Sequence, residues 1–358
     1  MSVPLATIDS QALRHNLGVV RRLAPRSRVL AVVKADAYGH GIVGTANALT
    51  GADAFGVARL NEALTLRAAQ ISRPIVLLEG AADAEQLAHA AQHDLQMVVH
   101  SIEQLDMLEQ ATALSRFDVW LKIDTGMNRL GFRPEQFASA LDRLQRCPAV
   151  RSIKLMTHLA SADVPDSLSA DDQINSFLSL TNGRALERSI ANSAGIIRHT
   201  EARVEWVRPG LMLYGISPLG EQSTQELGLR PVMTLSTALI AVREAKRGEA
   251  VGYGALWHAD RDSRIGIAAI GYGDGYPRTM RNGTPVLVDG RQAETVGRVS
   301  MDMIAIDITH LSDARVGSEV VLWGKGLPAE RVAPFADTIA YELLCRVNER
   351  VAVKRVEG

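Results

Sequence analysis

The stretch VWLKIDTGMNRLGFRPEQFASALDRLQR, residues 119–146, carries one complete unit of the fold. It opens within a mainly apolar run, Asp118–Ile123, that has the length of a strand and the composition of one covered on both faces. A glycine-containing turn follows. Then come Pro134 and a segment whose apolar residues Phe137, Ala140, Leu141 and Leu144 return at three- and four-residue intervals, which places them on one face of a helix.

The same unit recurs in both directions. Upstream, apolar runs at Val29–Val33, Ala54–Ala58, Pro74–Leu78 and Leu95–Val99 alternate with helical patterns such as LNEALTLRAAQ and SIEQLDMLEQATAL. Downstream lie Ser152–Met156, Ser189–Ala191 and Val204–Val207. A capped helix beginning at Asp9 or Ser10 and continuing to Leu23 precedes them all. Eight strand–helix units in about 200 residues suit a closed parallel barrel better than an open sheet. A (βα)8, TIM-like barrel is therefore expected over residues 1–228.

Past about Arg230 the texture changes to short alternating stretches, TLSTALIAV, RIGIAAI, PVLVDG and MIAIDI, with Asn-Gly and Asp-Gly turns at 282–283 and 289–290. This predicts a mainly β C-terminal domain over residues 229–358. Its last amphipathic segment, PAERVAPFADTIAYELLC, reads as a helix leading to a short terminal strand. A chain of 358 residues is too long for one ordinary domain, and its 47% hydrophobic content is ample for a sizeable core.

Charge is nearly balanced, 39 basic residues against 40 acidic, and aromatics make up 4%; both argue against a nucleic-acid or membrane-surface binder. No apolar run reaches membrane-spanning length, and MSVPLATIDS lacks the layout of a signal peptide, so a cytoplasmic protein is expected. Cys147 and Cys345 lack metal or redox spacing and read as free thiols. Of the 39 basic residues only six are lysine, at 34, 122, 154, 246, 325 and 354, so each is open to individual inspection.

Barrel enzymes work at the carboxyl ends of their strands. Lys34 ends the first strand in AVVKADAYGHG, placed either for Schiff-base chemistry or simply as a surface charge. Lys122 ends the fifth, with Arg129 in the turn beyond; together they form a cationic floor for an anion, unless Asp124 merely neutralises the lysine. His158 ends the sixth strand, Asn192 and Ser193 the seventh, and Arg208 the eighth, before Pro209-Gly210-Leu211. The Ser193 hydroxyl and the amides near Gly210 and Leu211 lie where barrels often hold a phosphate.

These residues carry a resemblance. AVVKADAYGHG, LKIDTGMNRLGF, THLASAD, ANSAG, VRPGLMLYG, VGYGALW, IGYGDGYPR, GRVSMDM and TIAYELLC follow one another, end to end, as in the alanine racemases. That family consists of pyridoxal-phosphate enzymes with an N-terminal barrel and a C-terminal β domain. The resemblance implies that Lys34 holds pyridoxal 5'-phosphate as an imine and later exchanges the D-alanine proton. It implies that Tyr253 exchanges the L-alanine proton, reaching the site from the partner of a homodimer with shared active sites. Tyr38, Ser193, Gly210, Leu211 and Tyr341 match the phosphate cradle, and Arg208 the residue facing the pyridine nitrogen, with His158 supporting either Arg208 or Tyr253. Arg129 matches the group near the cofactor's phenolic oxygen and the substrate carboxylate. Tyr272, Met301 and Asp302 match the substrate side, and Lys122 a lysine that is often carbamylated. Ser300 stands where some relatives carry cysteine.

The residue types suit the chemistry. Racemisation removes a proton from one face of an α-carbon and returns one to the other, so it needs a base on each face. Arginine donates hydrogen bonds but accepts none, so Arg208 at the ring nitrogen leaves that nitrogen unprotonated and weakens the electron sink that side reactions exploit. A serine or broad-spectrum racemase and a pyridoxal-phosphate carrier without turnover are the alternative readings. A metal-dependent barrel hydrolase is disfavoured, since it needs histidines in coordinating positions and no His-x-His occurs; no metal is expected. Whether the chain supplies D-alanine for peptidoglycan or serves alanine catabolism is left open.

Overall fold

The computed structural model describes residues 4–111, 116–166 and 168–357. Strand β1 (Leu5–Asp9) is followed by a helix over Ser10–Leu23, whose first turn is capped by Asp9 accepting the Ala12 N–H at 2.9 Å. The barrel then forms from β2 (Arg28–Val32), β3 (Ala54–Val57), β4 (Ile75–Leu77), β5 (Gln96–Val99), β6 (Phe117–Lys122), β7 (Val150–Met156), β8 (Arg188–Ser189) and β9 (Trp206–Val207), closed in that order. All the pairings within it are parallel, including the closing pair β2–β9. The (βα)8 reading holds, with strand ends shifted by at most two residues. The last residues of the SIEQLDMLEQATAL pattern lie outside the described residues.

The second sheet contains β10 (Met233–Ala245), β11 (Ser263–Ala268), β12 (Pro285–Val288), β13 (Arg291–Val296), β14 (Ile304–Asp307), β15 (Glu319–Trp323) and β16 (Ala352–Val356). It contains β1 as well. The order is β11-β14-β13-β12-β15-β10-β1-β16, so residues counted with the barrel in the sequence supply a strand to the other domain. The reason is local: β1 buries Ala6 and Ile8 and leaves the residues between them half-exposed, the alternation of a sheet with one covered face. It pairs antiparallel with β10 and parallel with β16, so both ends of the chain complete one sheet.

The segment 328–345 is not one helix. Ala329–Val332 and a 3-10 turn at Ala333–Ala336 stop at Asp337, which takes a left-handed conformation (φ 54°), and a second helix runs from Ala340 to Arg346. The break turns that second helix onto the barrel mouth: a side chain at Gly39 would run into the Leu344 carbonyl. Cys147 is buried and Cys345 exposed, both unpaired. Among the described residues, no helix is long and apolar enough to cross a membrane.

Candidate active site

At the carboxyl end of the barrel lies a cavity of about 440 Å³. Lys34, Tyr38, Lys122, Arg129, His158, Ser193, Arg208, Gly210, Leu211 and Tyr341 all line it, so the polar residues read from five strand ends converge on one space. Four of them are cations. Glu79 is the one carboxylate in the lining among the described residues.

Arg208 is fully buried and held on several sides. Its Nη1 donates to Ser189 Oγ at 2.6 Å; its Nη2 donates to the carbonyls of Thr157 at 2.5 Å and Ile190 at 3.1 Å, and stands 3.5 Å from His158 Nδ1. Burial pulls the guanidinium down to about 10, which leaves it charged at neutral pH. No carboxylate pairs with it among the described residues. A buried cation contacted only by neutral groups is costly until an anion arrives. His158 faces the same charge: burial, then Arg208, Lys122, Arg129 and Lys34 hold it well below the usual histidine range, so its ring is neutral.

Lys122 is buried at the end of β6. Burial, with Arg208 and Arg129 next in effect, lowers its amine to about 8. Asp124 does not neutralise it directly. Its Oδ1 instead accepts the Gly126 and Asn128 N–H groups at 3.0 Å each, folding its own loop.

Lys34 begins a turn that runs against the ordinary handedness of the chain. Ala35, Asp36, Ala37 and Tyr38 all have φ between 51° and 55°, a left-handed helical turn built without glycine. Each such residue costs roughly 1–2 kcal/mol, so the turn persists only because its surroundings hold it. Glu62 accepts the Ala35 N–H at 2.6 Å, and Tyr38 stacks on Tyr214 with ring centroids 4.6 Å apart. Tyr214 in turn donates to the Val32 carbonyl at 2.9 Å. On the far side Tyr341, from the second domain, lies 5.8 Å from the Tyr38 ring.

The region read as a phosphate cradle is polar and close-fitting. Ser193 Oγ accepts the N–H groups of Gly210 at 2.9 Å and Met212 at 3.3 Å, so the Gly210 amide is engaged by the serine. A side chain at Gly210 would come within 2.5 Å of the Tyr38 hydroxyl, so only glycine lets that phenol approach.

Four of the residues read from the sequence do not line this cavity. Tyr253 is 68% exposed and Met301 53%, and Tyr272 and Asp302 are also exposed. Asp302 is paired with Arg350 at 2.6 Å. These residues share one loop cluster of the second domain: the Tyr272 N–H donates to the Ser300 carbonyl, and a Cβ on Gly252 would come within 3.4 Å of the Arg298 amide nitrogen. Leu256, Met303 and Ile339 are exposed too. Sequence reading passed over Glu79, Thr157 and Glu62. Glu79 and Thr157 follow β4 and β7 closely enough for the strand-end rule to have found them; Glu62 lies within a helix and gave no such signal.

Comparison with known proteins decides the family. Residues 8–218 match the alanine racemase N-terminal domain and 232–355 its C-terminal domain. The chain belongs to the alanine racemase family. It is 50% identical over 358 residues to an alanine racemase of Vibrio vulnificus strain CMCP6, covering both chains in full. It superposes on the biosynthetic alanine racemase of Pseudomonas aeruginosa with a TM-score of 0.97 at 46% identity, covering 99% of this chain and 100% of that one. A Bartonella henselae alanine racemase with covalently bound pyridoxal phosphate aligns with a TM-score of 0.90 at 28% identity, over 99% of this chain and 100% of its own. Like its family, the chain is a pyridoxal-phosphate-dependent isomerase.

Pyridoxal phosphate fits the residues present. Four cations converge without a carboxylate against Arg208, and the site requires glycine where Tyr38 and Ser193 meet, as a close-fitting anionic ligand demands.

Proposed function

We propose that this chain interconverts L- and D-alanine by proton exchange on two faces, with Lys34 as one base and the partner subunit's Tyr253 as the other. The observation that carries this reading is the convergence of Lys34 with three further cations on one cavity, while its own chain's Tyr253 stands exposed elsewhere. When bound, pyridoxal phosphate supplies the conjugated ring that delocalises the electron pair left on the α-carbon.

The protein's own residues do the rest. Lys34 holds the cofactor through its amine and afterwards takes or returns the proton on its face. Ser193, Tyr38, Tyr341 and the backbone of Leu211 receive the phosphate, while Gly210, its amide given to Ser193, leaves the room for the Tyr38 phenol. Arg208 donates toward the ring nitrogen and, being unable to accept, does not favour its protonation. Neutral His158 stands beside Arg208 without adding charge. Arg129 receives the substrate carboxylate, and the second subunit's loop cluster, with Tyr272, Met301 and Asp302, closes the substrate side. The decisive assay offers L- and D-alanine, serine and larger amino acids, with borohydride reduction of the loaded enzyme. Racemisation of alanine above the others, with the label on Lys34, is expected. Turnover of serine at an equal rate identifies a broader racemase, and absence of α-hydrogen exchange identifies a carrier.

Lys122 enters this site as a carbamate. Its amine, lowered to about 8, is appreciably neutral near physiological pH. A neutral amine adds carbon dioxide with loss of a proton, and the resulting anion gives Arg129 a partner for a charge-assisted pair. Isotopically labelled bicarbonate is expected to yield a carbamate resonance that Lys122→Arg lacks; its absence from the wild type rules the modification out. The unmodified amine has a stability signature of its own. Because its folded value is about 8 against an ordinary 10.5, the cost of burying its charge is in full force below pH 8. That cost fades as pH rises from 8 to 10.5, where the folded state binds fewer protons than the unfolded one. In buffer free of carbon dioxide, Lys122→Met is therefore expected to be more stable than wild type below pH 8, with an advantage that shrinks toward 10.5 in urea unfolding.

A further inference from the structure

The left-handed turn after Lys34 is held from a direction the reaction does not use. His40 Nδ1 lies 3.0 Å from the Ala37 carbonyl and 2.8 Å from the Tyr38 carbonyl, so that nitrogen carries the proton and donates back into the turn. Burial keeps the imidazole neutral, at about 4. Asp36 Oδ1 accepts the Ile42 N–H at 2.7 Å and binds the start of the next helix, Ile42–Ala48, to the turn.

Onto this assembly comes Arg355, from β16 at the other end of the chain. Its Nη2 donates to the His40 carbonyl at 2.7 Å and stands 3.5 Å from the Gly41 carbonyl. Two glycines of GHGIVG make room for it. A Cβ on Gly44 would overlap the guanidinium, 2.6 Å from both Cζ and Nη2, and one on Gly41 would touch Nη2 at 3.5 Å. Gly44 is inside a helix with no positive φ, so the backbone itself does not ask for glycine there. The guanidinium does.

We propose that Arg355 is a positioning residue for the reaction: seated in the Gly41–Gly44 slot, its guanidinium holds the backbone of the left-handed turn and so aims Lys34 into the cavity. This rests on Lys34 being the cofactor-bearing amine. It couples the second domain's terminal strand to the site through backbone carbonyls, which one guanidinium nitrogen reaches.

The test is a double-mutant cycle on the loaded enzyme: wild type, Gly44→Ala, Arg355→Ala and the pair together. The readouts are cofactor retention on dialysis, visible absorption of the loaded form, and melting of the cofactor-free protein. Loss of a charge-assisted hydrogen bond predicts retention weakened about tenfold or more in each single variant. The pair is expected to be no weaker than Arg355→Ala alone, because the methyl then enters an empty slot and alanine is the better helix former. Added guanidinium ion should restore Arg355→Ala but not Gly44→Ala.

Several results overturn the proposal. They are a Gly44→Ala variant that behaves as wild type, losses that add in the pair, or an Arg355→Ala variant with a lowered melting temperature but unchanged retention and absorption. Should Gly44→Ala fail to fold, Arg355→Gln with guanidinium rescue decides the question alone. Borohydride labelling of wild type at a residue other than Lys34 would fail the underlying reading, and it is scored separately from the cycle.

Discussion

Lys34→Ala subunits mixed with Tyr253→Phe subunits, each preparation nearly inactive alone, are expected to recover about a quarter of the wild-type sites on random re-pairing. Half of the dimers are then mixed, and each mixed dimer holds one site with both bases and one with neither. Removing one base alone should lower turnover by roughly 10²–10⁴-fold, the usual range for a positioned acid or base. Tyr253 is suited to crossing between subunits. It is flanked by Gly252 and Gly254 with φ of 81° and 75°, a sharp turn that presents the phenol outward, and it is 68% exposed. Leu256, Met301 and Met303 are exposed as well, and the proposed dimer would cover them. The measurement is racemisation by the refolded mixture, with dimer content read from sedimentation. No recovery refutes the shared site.

Arg208→Glu is expected to keep the cofactor and change what the enzyme does with it. On the proposed assignment the phosphate would be held elsewhere, at Ser193, Tyr38 and the Gly210 turn, so binding should survive. Glutamate placed in the cavity that the Arg129 guanidinium lines is ionised, and an ionised carboxylate accepts a hydrogen bond where arginine only donated. That favours a protonated ring nitrogen and a stronger electron sink. Racemisation should fall by roughly 10²–10³-fold, the scale seen when one preorganised donor is removed. Conversion of alanine to its keto acid, with the cofactor taking up the amino group, should become measurable by coupled assay. Arg208→Leu provides the control, because it empties the same contacts to Thr157, Ser189 and Ile190 without offering an acceptor. An unchanged product profile in Arg208→Glu removes the argument.

The lysines show how far residue type alone leads. In a chain with so few of them, two stand at barrel strand ends, and both line the cavity. Under the proposed roles the amine is what matters at each, since arginine forms neither imine nor carbamate under ordinary conditions. The eight apolar runs were equally legible, because burial between helices demands near-continuous apolar residues over a strand's length. Segment 328–345 departs from its expected single helix for the opposite reason. Its apolar spacing is helical on both sides of Asp337, and nothing in that spacing records one residue turning left-handed.

What the sequence determined by itself is therefore local and periodic: a barrel of eight strand–helix units, a β domain after it, and reactive side chains at strand ends. Tertiary structure decided which of those side chains meet. Closure of the barrel gathers Lys34, Lys122, His158, Ser193 and Arg208, and it leaves Tyr253, Tyr272, Met301 and Asp302 on another surface. Pairing of β1 with β10 on one side and with β16 on the other joins the chain's two ends and sets Arg355 beside His40, 315 residues away. Periodicity is written in neighbouring residues, because one turn or one pleat is enough to express it. Contacts across hundreds of residues depend on how whole elements pack, and no short stretch of sequence contains that information.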